Sequence, residues 1–477
     1  MRLRMTKAVI SLTLGVSAFH LAFAQDAGSR SESIMRCSTG KPDVVAAILA
    51  CTKIIADRHL DDAVQLAALR NRGAFYSQRG DPDHAIADFT AALQLAGNRR
   101  TRADVYWNRG LTYFRKGDET NALGDYDAAL TLDPKLVSAY KTRASIFINR
   151  GDTDRAIADL DRVTQLNPKD AEIYLSRASI YVHRGDYDHA IADYSNAIAL
   201  DPANAIAWHD RGIAFQATGD NDRAAADAAE ALRLDPNMVA ARRDLGISLQ
   251  GSGKEEQAIA EYDAAIKLNS RDAQALKERG DSYFASGDHE RAISDFSQAI
   301  GIDPTIMSGY LNRGVAYLDE AHWDLAIADF TRALALDPNQ ATAYLNRGQA
   351  FAAKHDRDRA IADFTNAIGI DPNTVLAYRK RGFLRLEQGD APGAIEDYTH
   401  VIDANPRDAE ALRGRGHARL INHEPDAAIV DLSAAIALNP RDIVAYRYRA
   451  LAHDAKGETK RADVDFAMEQ QLETPAR

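Results

Sequence analysis

Cysteine is almost missing from this 477-residue chain: there are two, Cys37 and Cys51. That excludes a fold stapled throughout by disulfides, and also a multi-cysteine metal site. An excess of basic charge is missing as well. Lys and Arg number 58 against 69 Asp and Glu, a net −11. Phosphate neutralisation needs a dominant basic face, so a nucleic-acid partner is not expected. After residue 24 no run approaches the roughly 20 apolar residues that a membrane-spanning helix requires. The 13 histidines lack metal-motif spacing; His183 and His189, for example, flank an interhelix turn. No nucleophile elbow is present. Gly251-Ser252-Gly253-Lys254 has a superficial likeness to a phosphate loop. It lacks the earlier glycine and the following hydroxyl residue, and it sits between helices rather than after a strand. Neither an enzyme nor a cofactor or metal site is expected.

Residues 1–24 stand apart from the rest. Arg2, Arg4 and Lys7 form a basic start, an apolar run follows from Ala8, and it closes on Ala22-Phe23-Ala24. This is the order of a secretory signal peptide, so cleavage near Ala24 and export to a periplasmic or extracellular compartment are expected. In an oxidising compartment an even cysteine count favours a Cys37–Cys51 disulfide. Two thiols without nearby His make a poor zinc site.

What the chain has in abundance is repetition. Proline recurs every 34 residues at Pro134, Pro168, Pro202, Pro236, Pro304, Pro338, Pro372, Pro406 and Pro440, with Ser270 in the one gap. A second column of Gly or Ala runs from Gly110 through Gly212, Gly314 and Gly416 to Ala450. A third is alanine in all twelve units, from Ala85 and Ala122 to Ala462. Such a period implies stacked supersecondary units that contact only their neighbours.

Residues 103–136 show one unit. Tyr106, Gly110 and Tyr113 share one face of a first helix expected over 103–116. Gly117 suits the left-handed backbone that ends a helix, and Asp118 suits the N-cap of the next. A second helix over 119–132 carries Ala122, Leu123, Tyr126, Ala129 and Leu130 on one stripe, and Asp133-Pro134 breaks it. Tyr113, Tyr181, Tyr283 and Tyr317, with Tyr126, Tyr194, Phe296 and Phe330, read as core aromatics because they keep strict helical register.

The order Tyr106, Gly110, Tyr113, Ala122, Tyr126, Pro134 resembles the tetratricopeptide repeat. The resemblance covers about residues 66–476 as twelve units, the first with three extra residues near Gly97–Arg102. It implies an all-α, right-handed superhelical solenoid of helix-turn-helix repeats, whose first helices line a groove for extended peptides or helices. The expected organisation is a signal peptide over 1–24, a cap over 25–65 and the solenoid over 66–477.

The chain departs from the family at one position. Before the Gly column, where leucine is usual, stand Arg72, Arg109, Arg143, Arg177, Arg211, Arg279, Arg313, Arg347, Arg381, Arg415 and Arg449; Leu245 is the exception. An acidic column runs through the second helices from Asp88 to Asp465, with Glu261 in the unit that lacks the arginine. This predicts a repeated Arg–Asp pair, read as exposed pairs worth about 0–1 kcal/mol each. At the front, 43–55 has the stripe of a second helix, with Cys37 on a short preceding segment. At the back, Asp463 and Gln470 give the last unit a polar outer face, as a terminal repeat needs.

Function is expected in the groove. Asn71, Asn108, Asn312 and Asn346 share one column, and in the family an Asn there can bind a peptide backbone; a solvated Asn is the plainer reading. Arg379, Lys380, Arg385, Arg413, Arg419 and Arg447 make the last three first helices basic, which suggests an acidic ligand or else a face paired internally. The family's carboxylate clamp is not reproduced in any three consecutive units. The expectation is a non-catalytic protein-protein interaction scaffold that binds a peptide or protein. The other expectation is an accessory protein of envelope polysaccharide assembly or export, with Trp107, Phe114 and Phe284 as candidate groove aromatics.

Overall fold

The computed structural model describes residues 28–40 and 43–473; the leader expected over 1–24 lies outside them. Among the described residues there are twenty-six α-helices and no strand. They form consecutive helix-turn-helix pairs, such as Glu119–Leu132 packed on Arg99–Lys116 and Trp323–Leu336 packed on Met307–Asp319. No helix among them is long and apolar enough to cross a membrane. The chain forms two compact units that divide at residues 241 and 242. The first holds the cap pair and five repeats; the second holds the remaining repeats.

Local sequence sets the helix ends. Gly117 has φ 86°, the left-handed value expected of it, and the Asp118 carboxylate accepts from the Asn121 backbone N–H. In three later turns the same conformation falls on Ala321, His355 and His423, with φ near 60°. The three extra residues of the first unit do not form a loop. They lengthen the next helix, which begins at Arg99 and is capped by Asn98 accepting from the Thr101 N–H.

The alanine column packs as expected: Ala85, Ala122, Ala326 and Ala428 are all fully buried. The glycine column packs against the second helix of its own repeat. A Cβ on Gly314 would lie 2.8 Å from the ring of Phe330, and one on Gly280 would lie 2.7 Å from Phe296. Gly280 and Gly314 thus make room for the aromatic ring of their own second helix, whereas Gly212 faces Ala224 and Ala228 and Gly416 faces Leu432.

The cap is a further helix pair, Gly28–Thr39 and Val44–Ala56. Cys37 lies on a 12-residue helix rather than on a short segment. It is joined to Cys51 with S–S 2.10 Å and Cα–Cα 4.9 Å. Cys37, Ile48, Cys51, Val64 and Phe75 share one apolar cluster, so the cap packs on the first repeat.

A candidate binding cleft among the last repeats

The arginine column decides which charges remain for a ligand. All eleven arginines grip the aspartate of their own repeat with two parallel hydrogen bonds. In Arg347 they run from Nε and Nη2 to the two Asp363 oxygens, 2.8 Å each. The pairs are not exposed, which corrects the expectation. The Asp363 side chain is 5% exposed and that of Arg347 18%. The third nitrogen, Nη1, reaches the second helix of the preceding repeat. Arg347 donates to Thr331 Oγ1 at 3.0 Å, Arg313 to Ser297 at 2.8 Å and Arg279 to Asp263. The cap is tied in the same way, through Arg72 and Thr52 at 2.9 Å.

This acceptor column stands in the sequence two residues after the aspartates, as Thr90, Asp127, Ser195, Thr331 and Ser433, but its role shows only across the repeat boundary. Where Leu245 replaces the arginine, Ala229 stands in the acceptor column. Glu261 of that repeat pairs instead with Arg242 at 3.2 Å.

The asparagine column does not act as one set. Asn71 is buried and donates to the Cys37 carbonyl at 3.2 Å; Asn108 is buried and donates to the Asp104 carbonyl at 2.8 Å. Asn312 donates to Asp281 Oδ1 at 2.6 Å, and Asn346 accepts from Gln349. The basic residues are also divided. Arg385 and Arg419 turn inward onto Asp397 and Asp431, at 3.0 and 2.7 Å. Arg447 pairs with Glu469 and Glu473 of the last helix. Trp107, Phe114 and Phe284 are half-buried, and Phe284 stacks on His289.

Arg379, Lys380 and Arg413 do come together. They line a cleft of about 700 Å³ between the first helices Val375–Glu387, Ala409–Ile421 and Ile443–Ala455. Leu376, Phe383, Leu386, Val444 and Tyr448 supply its apolar wall, and Phe383 is 52% exposed. Arg379 and Arg413 are anchored from behind by Asp408 and Asp442, each the N-cap of the first helix of the next repeat. Lys380 is exposed and has no ion-pair partner among the described residues. Lys380, Gly414 and Tyr448 occupy the same column as Asn312 and Asn346. Gly414 is therefore a gap in that column, and the ring of Tyr398 lies beneath it.

Burial pushes the Tyr398 hydroxyl up to about 12, so it stays protonated. Burial also holds His417 below the ordinary imidazole value. Its ring stacks on Tyr448 at 3.9 Å and 8°. The cleft thus offers a neutral aromatic floor, lined also by the cations Arg379, Lys380 and Arg413 and the carboxylates Glu387 and Glu410. Among the described residues, no cluster of His, Cys, Asp and Glu is placed to hold a metal ion.

Comparison with known proteins agrees with this architecture. Models of the tetratricopeptide repeat match residues 103–136, 144–208, 209–249, 243–305, 311–374 and 380–443. Similar solved structures include YrrB, described as a TPR protein with an unusual peptide-binding site. It is 21% identical, over 39% of this chain and 95% of its own, with a TM-score of 0.34. MamA is 27% identical over 36% of this chain and 93% of its own, with a TM-score of 0.32. The pilF protein of Pseudomonas aeruginosa is 17% identical over 43% and 94%, with a TM-score of 0.40. No curated protein matches the chain in sequence.

Proposed function

The chain belongs to the tetratricopeptide-repeat family, and from that premise we propose that it is a non-catalytic interaction scaffold whose last three repeats hold a protein or peptide segment. Repeats of this family generally serve as protein-interaction scaffolds. The observation that carries the reading is the cleft at Gly414. It joins a half-exposed phenylalanine to an unpaired Lys380, in a frame whose other charges are largely engaged with one another. An extended segment placing one apolar side chain in the cleft would bury apolar surface at about 25 cal/mol per Å², with polar contacts left to orient it.

We further propose that the protein works outside the cytoplasm. The leader-like residues 1–24 and the disulfide of the cap both support an oxidising compartment.

A photo-crosslinking residue at position 383 tests the scaffold reading, with one at position 430 as control, since Val430 is 67% exposed on a second helix. The expected result is a discrete protein cross-linked from 383 and not from 430, and weakened by Lys380→Glu. Equal capture from both positions sinks the reading. Recovery of glycan in place of protein supports the polysaccharide alternative.

A further inference from the structure

Glu410 lies where a bound carboxylate would lie. Its side chain is 62% exposed, yet it reaches Arg379 Nη1 at 3.1 Å with one oxygen and Arg413 Nη2 at 3.8 Å with the other. Neither guanidinium needs it for burial. Arg379 is already held by Asp408, and Arg413 by Asp442 at 2.9 Å; these aspartate side chains are 9% and 5% exposed. Glu410 is thus a third carboxylate, added at the mouth of the cleft.

Beside it, the packing under Gly414 is unlike that of the neighbouring repeats. A Cβ on Gly314 would lie 2.8 Å from the ring of Phe330, and one on Gly348 2.8 Å from that of Phe364, each in its own repeat. A Cβ on Gly382 would come no nearer than 3.5 Å to the ring of Tyr398, which instead runs under the next repeat, where a Cβ on Gly414 would meet its Cζ at 2.5 Å. The ring forms the cleft floor because position 414 has no side chain. An apolar group seated there has Phe383 and Tyr448 beside it, and Arg379, Lys380 and Arg413 within the same cleft.

We propose that the cleft takes a peptide segment in which an apolar side chain adjoins a carboxylate, and that Glu410 is an internal competitor which the incoming carboxylate displaces from Arg379 and Arg413. The proposal rests on the scaffold reading above and adds the chemistry of the ligand. Charge complementarity argues for it. Two anchored guanidiniums converge on one exposed carboxylate, and the unpaired Lys380 adds a third cation to the cleft that holds it. Displacement exchanges one exposed ion pair for another, so the internal competitor weakens the ligand without abolishing binding.

The test uses two small probes on the chain from residue 25 onward. One is 3-phenylpropionate; the other is its neutral isostere 3-phenylpropionamide. Both are titrated by ligand-observed NMR against the wild type, Glu410→Gln and Lys380→Gln. Both substitutions fall on exposed side chains, and circular dichroism checks that each variant is folded. Glu410→Gln is expected to bind the carboxylate about two- to fivefold more tightly, with the amide unchanged. Lys380→Gln is expected to weaken the carboxylate alone. The assignment fails if Glu410→Gln binds the carboxylate no more tightly, if both probes gain alike, or if neither probe binds at millimolar concentration. Should it fail while position 383 still captures a protein, the scaffold reading stands without it. Should the gain appear while position 383 captures nothing, the cleft chemistry stands and the protein-scaffold reading falls.

Discussion

Arg347 holds Asp363 through two 2.8 Å hydrogen bonds and reaches Thr331 of the preceding repeat with its remaining nitrogen. One side chain therefore closes its own helix pair and ties that pair to the one before. Removing the arginine leaves the buried Asp363 carboxylate without its cation. Arg347→Leu is expected to cost about 3–5 kcal/mol. Arg347→Leu combined with Asp363→Leu should cost clearly less, because no buried charge is then orphaned. Chemical denaturation of the three proteins measures the difference; equal losses in the single and double variants would refute the account.

The turn at Ala321 strains its backbone. Its φ of 58° is one that an L residue adopts at a cost of roughly 1–2 kcal/mol, whereas Gly117 and Gly287 serve the equivalent turns without a Cβ. Ala321→Gly is expected to raise stability by up to about 1 kcal/mol. The same exchange at the helical Ala326 should lower it. Thermal unfolding of the two variants checks the opposite signs.

The Cys37–Cys51 bond closes a 14-residue separation at the cap. Replacing both cysteines by serine is expected to cost the cap about 2–4 kcal/mol. In a repeat array that loss stays near its source. Hydrogen exchange should therefore quicken in Gly28–Thr39 and Val44–Ala56 while Trp323–Leu336 stays protected. Uniform loss of protection would contradict nearest-neighbour stabilisation.

Hydrogen bonds from Lys456 and His453 hold the Glu458 carboxyl at about 2, below its ordinary 4.5. A lowered folded value means that the stabilisation is present above pH 4.5 and fades as pH falls towards 2. The wild type should thus exceed Glu458→Gln in melting temperature at pH 7, and the gap should close between pH 4.5 and 2. A gap that persists at pH 2 would show that the carboxylate's charge is not its source.

Much of the architecture was legible without coordinates. The 34-residue period, the second helix over 119–132, the alanine column and the Arg–Asp partnership all rest on short-range regularities. In a repeat array one such regularity is printed many times, so chance matches drop out. What went unread was of another kind. The burial of the aspartates depends on a neighbouring repeat shielding them. The hydroxyl and acidic acceptors from Thr52 to Ser433 are bonded across a repeat boundary. The extra residues before Arg102 added a turn of helix, because Asn98 could cap it further back.

The candidate site divides in the same way. Arg379, Lys380 and Arg413 were visible as a basic cluster, and Gly414 as a missing side chain in a column of larger ones. By itself the sequence determined the helices and the side each residue takes, since helical periodicity is a local property of the backbone. Only the tertiary structure decided that Arg385, Arg419 and Arg447 are spent on internal carboxylates, that Tyr398 leans beneath the next repeat, and that Glu410 reaches two guanidiniums. Those outcomes depend on rotamers chosen by close packing between helices, and a residue's spacing along the chain does not carry that information.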